Sequence, residues 1–468
     1  MAPPSTGQVL LADDLSALQV LHAVLADTVA AFPGAFGAVG LPATAEAFRS
    51  VYPDVLPRFE ASRLASDSRS AIARHLAAAL AANLVWRDES GARPLQEALA
   101  EPADPLPLET HAFDGRSGWQ PELVYRGERW EATRLAELGG LLVSRRMITP
   151  GAGDALAWVG ESLLDAGVLQ LTGRKIAVLG GGAEMAPTRL WLASGADVLW
   201  LDTQPPPRSW WQKPGMSGRL FWPGGNADLL TKPQAVLATL IEFAGGTPLD
   251  LGLYAYAPGQ ARELRLTASM SALVNALPDE LVASVTMLVS PTTPTAMSAS
   301  DLAAMDARLA ARPLWEAALA RLGLLGSGGG RVAVGDAAAT RTVVAIQGAS
   351  YQAAQYLGKI MMAESWASPD RSGSVRSQPL RVSANTAAIT RTRSLSHPVF
   401  AAAFGGAAAF GVETLTPRQS RRVNGLLAVH DWMHPDLPVP GAVRVHGGTE
   451  EDELVSPNGE GTDRPPQP

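Results

Sequence analysis

Three consecutive glycines between two short apolar runs constrain the fold of this 468-residue chain more than any other feature. The first run is Lys175–Leu179, the glycines occupy residues 180–182, and the second run, Asp197–Leu201, ends just before Asp202. The residues between the glycines and the second run have helical spacing. A strand, a tight turn, a helix and a second strand form a βαβ unit, so the sequence predicts a parallel α/β sheet.

The same alternation of short β-branched runs and longer helical stretches continues along the chain. Right-handed crossovers would join these elements into a doubly wound, Rossmann-like parallel sheet, with ligands bound beyond the carboxyl ends of the strands. The further predicted strands are residues 249–255, 284–289, 341–346 and 380–385, and the predicted helices are residues 185–194, 233–244, 262–276, 299–322 and 351–366.

Composition divides the chain into three regions. Residues 1–165 are rich in Ala and Leu at helical spacing and are predicted to form a mostly helical N-terminal region. Residues 170–440 are predicted to form the α/β domain, with an insertion near residues 294–340. Residues 447–468 are polar, acidic and rich in Pro and Gly, which is typical of a disordered tail.

Charge and cysteine content exclude several classes of protein. The chain has no Cys, so it has neither disulfides nor thiolate chemistry. Its net charge of −7, without a long basic stripe, argues against nucleic-acid binding. The first residues do not resemble a secretory signal, and no window of about 18 residues is apolar enough for a membrane span. We therefore expect a cytoplasmic protein, and we leave open whether it forms a homo-oligomer.

The glycines and the acid after the second strand suggest a nucleotide. Gly180, Gly181 and Gly182 would let the backbone approach a pyrophosphate at the N-terminus of the next helix. Asp202 lies 22 residues after Gly180, near the offset at which a carboxylate binds a ribose 2′-hydroxyl and repels a 2′-phosphate. This spacing favours NAD as cofactor, with NADP as the second choice. The alternative is a tight turn without a ligand, in which Glu184 only complements the helix dipole.

Later segments extend the pattern over about residues 170–400. Ser290 ends an apolar strand, Tyr351 opens a helix, and Thr390 and Thr392 follow another strand. Taken in this order with the glycine turn, the segments resemble those of the short-chain dehydrogenase/reductase family. The resemblance implies that Ser290 orients a carbonyl, that Tyr351 donates a proton, and that the loop with Thr390 and Thr392 holds the cofactor.

One position of that family's pattern differs here. The family has a lysine four residues after its tyrosine, where this chain has Gln355. Lys359 is eight residues after Tyr351, about 12 Å along a helix. It is three residues after Tyr356, so on an α-helix these two side chains would form a pair. The sequence leaves open whether Tyr351 or Tyr356 is the proton donor.

Other aromatic and histidine residues permit two interpretations each. Tyr254 and Tyr256 would share one face of a strand, so both or neither would line the site. His430 and His434 are expected at a helix end or on the surface, and we predict no metal. A cluster of aromatic residues either walls an apolar substrate pocket or anchors a loop. Its members are Trp210, Trp211, Phe221 and Trp222.

These features together predict an NAD(H)-dependent oxidoreductase that acts on a small apolar carbonyl or enoyl substrate, for example a lipid, isoprenoid or polyketide intermediate. Tyr351 or Tyr356 would move the proton, while Ser290 and Lys359 would polarise the oxygen. Two other hypotheses stay open. One is a catalytically altered module that senses a nucleotide or binds a partner, and the other is a lyase or isomerase on the same fold.

Overall fold

The computed structural model describes most of the first 366 residues. The described ranges are 7–116, 118–120, 122–125, 127–144, 150–164, 167–183, 186–211, 215–257, 259, 261–289, 293–296, 303, 310, 314–321, 329–342, 349–366 and 381–384. Several predicted features lie outside these ranges, namely Glu184, Ser290, Thr390, Thr392, His430, His434 and the tail at residues 447–468.

Fifteen strands and thirteen α-helices lie in the described ranges. The strands are β1 (Gln8–Leu11), β2 (Leu84–Asp88), β3 (Gly91–Pro94), β4 (Leu108–Ala112), β5 (Glu122–Tyr125), β6 (Glu128–Glu131), β7 (Lys175–Leu179), β8 (Asp197–Leu201), β9 (Arg219–Pro223), β10 (Leu249–Leu253), β11 (Val282–Val289), β12 (Thr295–Ala296), β13 (Gly329–Val334), β14 (Ala337–Thr342) and β15 (Arg381–Ala384). The helices are α1 (Ala17–Ala31), α2 (Pro33–Phe36), α3 (Ala45–Ala65), α4 (Arg69–Ala82), α5 (Leu95–Leu99), α6 (Leu135–Ser144), α7 (Pro150–Leu164), α8 (Thr188–Ala193), α9 (Pro233–Ala244), α10 (Arg262–Ala276), α11 (Leu314–Arg321), α12 (Ala349–Ala353) and α13 (Met362–Trp366). A π-helical segment, Ala354–Met361, joins α12 to α13, and we call the whole run the 349–366 helix.

A seven-stranded sheet forms the centre of the protein, in the order β15-β11-β10-β7-β8-β9-β4. Six strands are parallel, and β4 pairs antiparallel with β9 at one edge. From the central strand β7 the chain continues to β8 and β9 on one side, whereas β10, β11 and β15 lie on the other. The six parallel strands all end at one edge of the sheet, which we call the carboxyl edge.

Both faces of the sheet are buried, which explains why its strands are almost continuously apolar. Ala177 and Leu179 of β7 belong to one core, together with residues of α1, α3, α4, α9, α10 and the 349–366 helix. Ile176 and Val178 point to the other face, in a second core with residues of α6, α7 and α8. The N-terminal helices therefore share a core with the sheet.

The structure confirms several predicted elements and corrects others. Strands β7 and β8 and helices α9 and α10 have the predicted bounds. Residues 341 and 342 lie in a strand as predicted, but this strand, β14, pairs antiparallel with β12 and β13 in a separate small sheet and not in the parallel sheet. Strand β9 was not predicted, although it is one of the six parallel strands of the central sheet. The N-terminal region also holds six strands, of which β4 joins the central sheet.

Helix ends follow from local chemistry. Helix α9 begins with Pro233, which needs no N–H partner at the first helical position, and ends at Gly245 in the left-handed region (φ +52°). Nζ of Lys175 donates to the carbonyl oxygens of Phe243 and Ala244, which satisfies two acceptors of the last turn. Of the helices in the described ranges, none is long and apolar enough to cross a bilayer.

Candidate functional site

The glycine turn lies where strand order departs from chain order, between β7 and β10. Gly180 has a φ of +89°, and a Cβ there would stand 2.4 Å from the backbone nitrogen of Ala255, in the loop after β10. Glycine is therefore needed for both the backbone conformation and this close approach. In open α/β sheets the crevice at such a switch point is the usual place for a ligand.

The N–H groups of the turn already donate hydrogen bonds within the protein. Those of residues 180 and 181 reach the carbonyl of Leu201 at 2.7 and 3.4 Å, and that of Ala183 reaches the carbonyl of Gly180 at 3.0 Å. Helix α8 begins only at Thr188, later than predicted, and has six residues. The turn thus offers a pyrophosphate neither a free amide among residues 180–183 nor an adjoining long helix, contrary to the expectation.

Asp202 is held directly over the turn. Its Oδ2 accepts the N–H of Gly182 at 2.9 Å, and its Oδ1 accepts the N–H groups of Thr203 at 2.7 Å and Gln204 at 3.3 Å. The side chain is only half-buried. Because a carboxylate oxygen accepts two hydrogen bonds, Oδ2 can still take a hydroxyl. The described residues therefore fit the ribose of a nucleotide and do not fit its pyrophosphate.

Tyr254 and Tyr256 separate after β10, so the prediction that both or neither would line the site is wrong. Strand β10 ends at Leu253, and the alternation of faces ends with it. Tyr254 is 3% exposed, and its ring folds over Gly252 toward Trp191. Burial raises the pKa of its phenol, whose hydroxyl has no hydrogen-bond partner in the described part of the chain. Tyr256 is 43% exposed.

Tyr256 meets Tyr351 at the carboxyl edge. The ring centroids lie 5.9 Å apart with the planes nearly perpendicular, and Tyr351 is buried. Glu263, in the first turn of α10, accepts the hydroxyl of Ser350 at 3.0 Å and the N–H of Gly259 at 3.3 Å. Burial and this carboxylate raise the pKa of Tyr256 to about 12. The sequence analysis does not identify Glu263. The feature that could have indicated it is an acidic residue shortly after Gly259, at the start of a helix.

Tyr356 lies in a buried charge network that joins α3 to the 349–366 helix. Its phenol donates to Oε2 of Glu60 at 2.8 Å, and Glu60 accepts two hydrogen bonds from Arg63. Arg63 also pairs with Glu364 at 2.6 Å, and Glu364 with Arg69. Glu60 and Arg63 are each 1% exposed. Burial and the Glu60 carboxylate raise the pKa of Tyr356 well above its usual value.

Lys359 does not pair with Tyr356 as predicted. In a π-helical segment each turn is wider than in an α-helix, so residues three apart no longer share one face. Lys359 is 4% exposed, and burial lowers its pKa to about 7. No carboxylate in the described ranges forms an ion pair with it. The structure therefore places the turn in contact with Asp202 and with the loop after β10, whose Tyr256 contacts Tyr351. Tyr356 and Lys359 lie in the core.

The tryptophans of the predicted substrate wall anchor a loop. Trp210 packs edge-on against Trp200 at 5.4 Å, and the Trp200 ring lies directly beneath the glycine turn. Trp211 packs against His111 at 4.5 Å and Trp222 at 5.2 Å, at the β4 edge of the sheet. These contacts fix the loop after β8, which carries Asp202, against the sheet.

Comparison with known proteins identified no relative: no family model, no curated protein and no solved structure matches the chain.

Proposed function

We propose that this protein is a nucleotide-binding α/β enzyme, an NAD(H)-dependent oxidoreductase of the short-chain dehydrogenase/reductase type that acts on an apolar carbonyl or enoyl compound. The strand order is the main support. Counted from β7 as the first strand, the sheet has the order 3-2-1-4-5-6 of the Rossmann dinucleotide-binding fold. In that fold the ligand lies at the switch point, where the glycine turn meets the loop after β10.

Asp202 is the residue that would hold the nucleotide, through a ribose hydroxyl. Bound NAD(H) would supply hydride chemistry, which the side chains of a protein lack. Tyr351 is the phenol of the predicted pair that lies at the carboxyl edge, so it is the better candidate for handling the proton. We assign no pyrophosphate contact to the turn, and we therefore expect weaker nucleotide binding than phosphate-cradling turns provide.

The second candidate is a module that binds a nucleotide without turning it over. The internally bonded turn amides favour it, as do the core positions of Tyr356 and Lys359. This candidate predicts the same ribose contact by Asp202 but no oxidation of NADH in the presence of carbonyl or enoyl compounds.

The test is a titration with NADH, NADPH and adenosine, followed by energy transfer from the tryptophans and by thermal shift. We expect saturable binding with NADH preferred over NADPH. Asp202→Asn removes the charge and leaves one acceptor oxygen, so either the Gly182 N–H or those of Thr203 and Gln204 lose their partner, and the preference should fall about tenfold. Asp114→Asn, at an exposed position, is the matched control and should change nothing.

Each result has a definite consequence. A folded protein that binds none of the three ligands contradicts the nucleotide proposal. Binding with an unchanged preference in Asp202→Asn contradicts the role of Asp202. Binding of NADH without its oxidation across a panel of carbonyl and enoyl compounds favours the non-catalytic candidate.

A further inference from the structure

Tyr256 combines exposure with a fixed orientation. The large hydrophobic side chains exposed in the described ranges are those of Ile241, Tyr256 and Leu314. Ile241 and Leu314 lie on helices α9 and α11, whereas Tyr256 follows Ala255, the residue against which the glycine turn packs. Of these three side chains, that of Tyr256 lies in the loop against which the glycine turn packs.

Two helices contact this ring or the loop that carries it. Tyr351, at the start of the 349–366 helix, supports it edge-on at 5.9 Å. Glu263, at the start of α10, binds Gly259 in the loop that carries Tyr256, and it also binds Ser350 beside Tyr351. A side chain already fixed by its neighbours loses little conformational entropy when a ligand binds. The arrangement is therefore suited to binding.

The chemistry of the position selects an uncharged ligand. With a pKa of about 12 the Tyr256 phenol keeps its proton at neutral pH, so it is a hydrogen-bond donor. Its hydroxyl forms no hydrogen bond with the described residues. The Glu263 carboxylate close by repels an anionic ligand, while the partly exposed aromatic ring favours an apolar, unsaturated one.

We propose that Tyr256 is a substrate-binding residue, whose ring lies beside a planar, uncharged carbonyl compound and whose hydroxyl donates a hydrogen bond to the carbonyl oxygen. Glu263 is the positioning residue that joins the loop of Tyr256 to the helix of Tyr351. The proposal rests on the proposed function for placing the substrate at the switch point, but the binding itself is measurable without a nucleotide.

The probe is menadione, a planar, uncharged diketone, whose binding is measured by calorimetry and by quenching of tryptophan fluorescence. Tyr256→Phe keeps the ring and its packing but removes the hydroxyl, so we expect about tenfold weaker binding. Tyr256→Ala should weaken binding about a hundredfold or more. Tyr52→Phe, a half-buried phenol on α3, is the matched control and should bind as the unaltered protein does.

Lawsone, a naphthoquinone that is an anion at neutral pH, tests the charge selection and should bind at least about tenfold more weakly than menadione. Equal affinity for the two probes would contradict the choice of an uncharged ligand. Circular dichroism and thermal unfolding report whether each variant is folded. The conservative Tyr256→Phe decides the question even if Tyr256→Ala does not fold.

Unchanged menadione affinity in Tyr256→Phe, or no menadione binding by the unaltered protein, overturns the inference. The nucleotide titration separates this inference from the proposed function. Menadione binding that depends on Tyr256 in a protein that binds no nucleotide supports the inference and contradicts the proposed function. If the protein binds a nucleotide and Tyr256→Phe binds menadione as tightly as the unaltered protein does, the proposed function is supported and this inference is contradicted.

Discussion

The phenol of Tyr356 donates a 2.8 Å hydrogen bond to Oε2 of Glu60, a residue 296 positions earlier in the chain. The contact ties the N-terminal helix α3 to the helix that carries Tyr351. Because Glu60 also accepts hydrogen bonds from Arg63, the phenol joins the buried end of the charge network. Tyr356 therefore has a structural role, whereas Tyr351 lies at the carboxyl edge.

Substitution of Tyr351 or Tyr356 by phenylalanine should distinguish these roles. Tyr356→Phe deprives a buried carboxylate of a donor, so the free energy of unfolding should fall by about 1–3 kcal/mol, with nucleotide and menadione affinity unchanged. Tyr351→Phe should lower any turnover of NADH. Urea unfolding and ligand titration of both variants check this. Weakened ligand binding in a Tyr356→Phe protein of unaltered stability would place Tyr356 in the site after all.

Arg63 is expected to be the costliest residue of the network to remove. Arg63→Met leaves the buried Glu60 without its cation, so urea unfolding should show a loss of about 3–5 kcal/mol. Arg69 is 52% exposed, and Arg69→Ala should cost less than about 1 kcal/mol. A double variant, Glu60→Leu with Arg63→Met, should be more stable than Arg63→Met alone. Equal losses in the two arginine variants would contradict the burial of this network.

Lys359 should make stability depend on pH. Its pKa is about 7 in the folded protein, against an ordinary value of 10.5. Between these values the unfolded chain binds a proton there that the folded chain does not, so the free energy of unfolding should rise with pH. Below pH 7 both states bind the proton, and the full cost of burying the charge is present.

Lys359→Met removes this charge while it keeps most of the side-chain volume. We expect the variant to be more stable than the unaltered protein near pH 6, by on the order of 2 kcal/mol, and the difference to shrink toward pH 10. Urea unfolding over this pH range measures it, with Lys232→Met at a half-buried position as the control. A variant that is less stable at every pH would show that Lys359 bears a stabilising charge.

The sequence was sufficient for the elements whose ends are chemically marked. Lys175–Leu179 ends at a glycine turn, and Pro233–Ala244 begins with a proline and is followed by a glycine, so the sequence predicts their bounds to the residue. The sequence does not predict strand β9, because its Phe221 and Trp222 are equally typical of a pocket wall or a loop anchor. In a sheet covered on both faces, such aromatic side chains are ordinary strand residues.

Site geometry was harder to predict because it depends on contacts between distant segments. The two-residue spacing of Tyr254 and Tyr256 implied a common face, but that inference holds only if the strand continues, and β10 ends at Leu253. Likewise, the spacing of Tyr356 and Lys359 implied a pair only for an α-helix, and the segment is π-helical. Asp202 was placed correctly at the end of β8, yet its bond to the Gly182 N–H could not be read from spacing.

Gly180 provides a test of how the turn meets the loop after β10. Gly180→Ala adds a Cβ at a φ of +89°, only 2.4 Å from the nitrogen of Ala255, so either the turn or the loop of Tyr256 must move. Gly246 has a similar φ of +82° but open space around its Cβ position, so Gly246→Ala carries the backbone strain alone. We expect the free energy of unfolding to fall by about 1–2 kcal/mol in Gly246→Ala and by at least about 3 kcal/mol in Gly180→Ala, if that variant folds at all.

The loop that meets the glycine turn carries Tyr256. A folded Gly180→Ala protein should therefore also bind menadione more weakly, whereas Gly246→Ala should not. Urea unfolding and menadione titration of both variants decide this, and equal losses of stability would mean that the turn does not pack against Ala255.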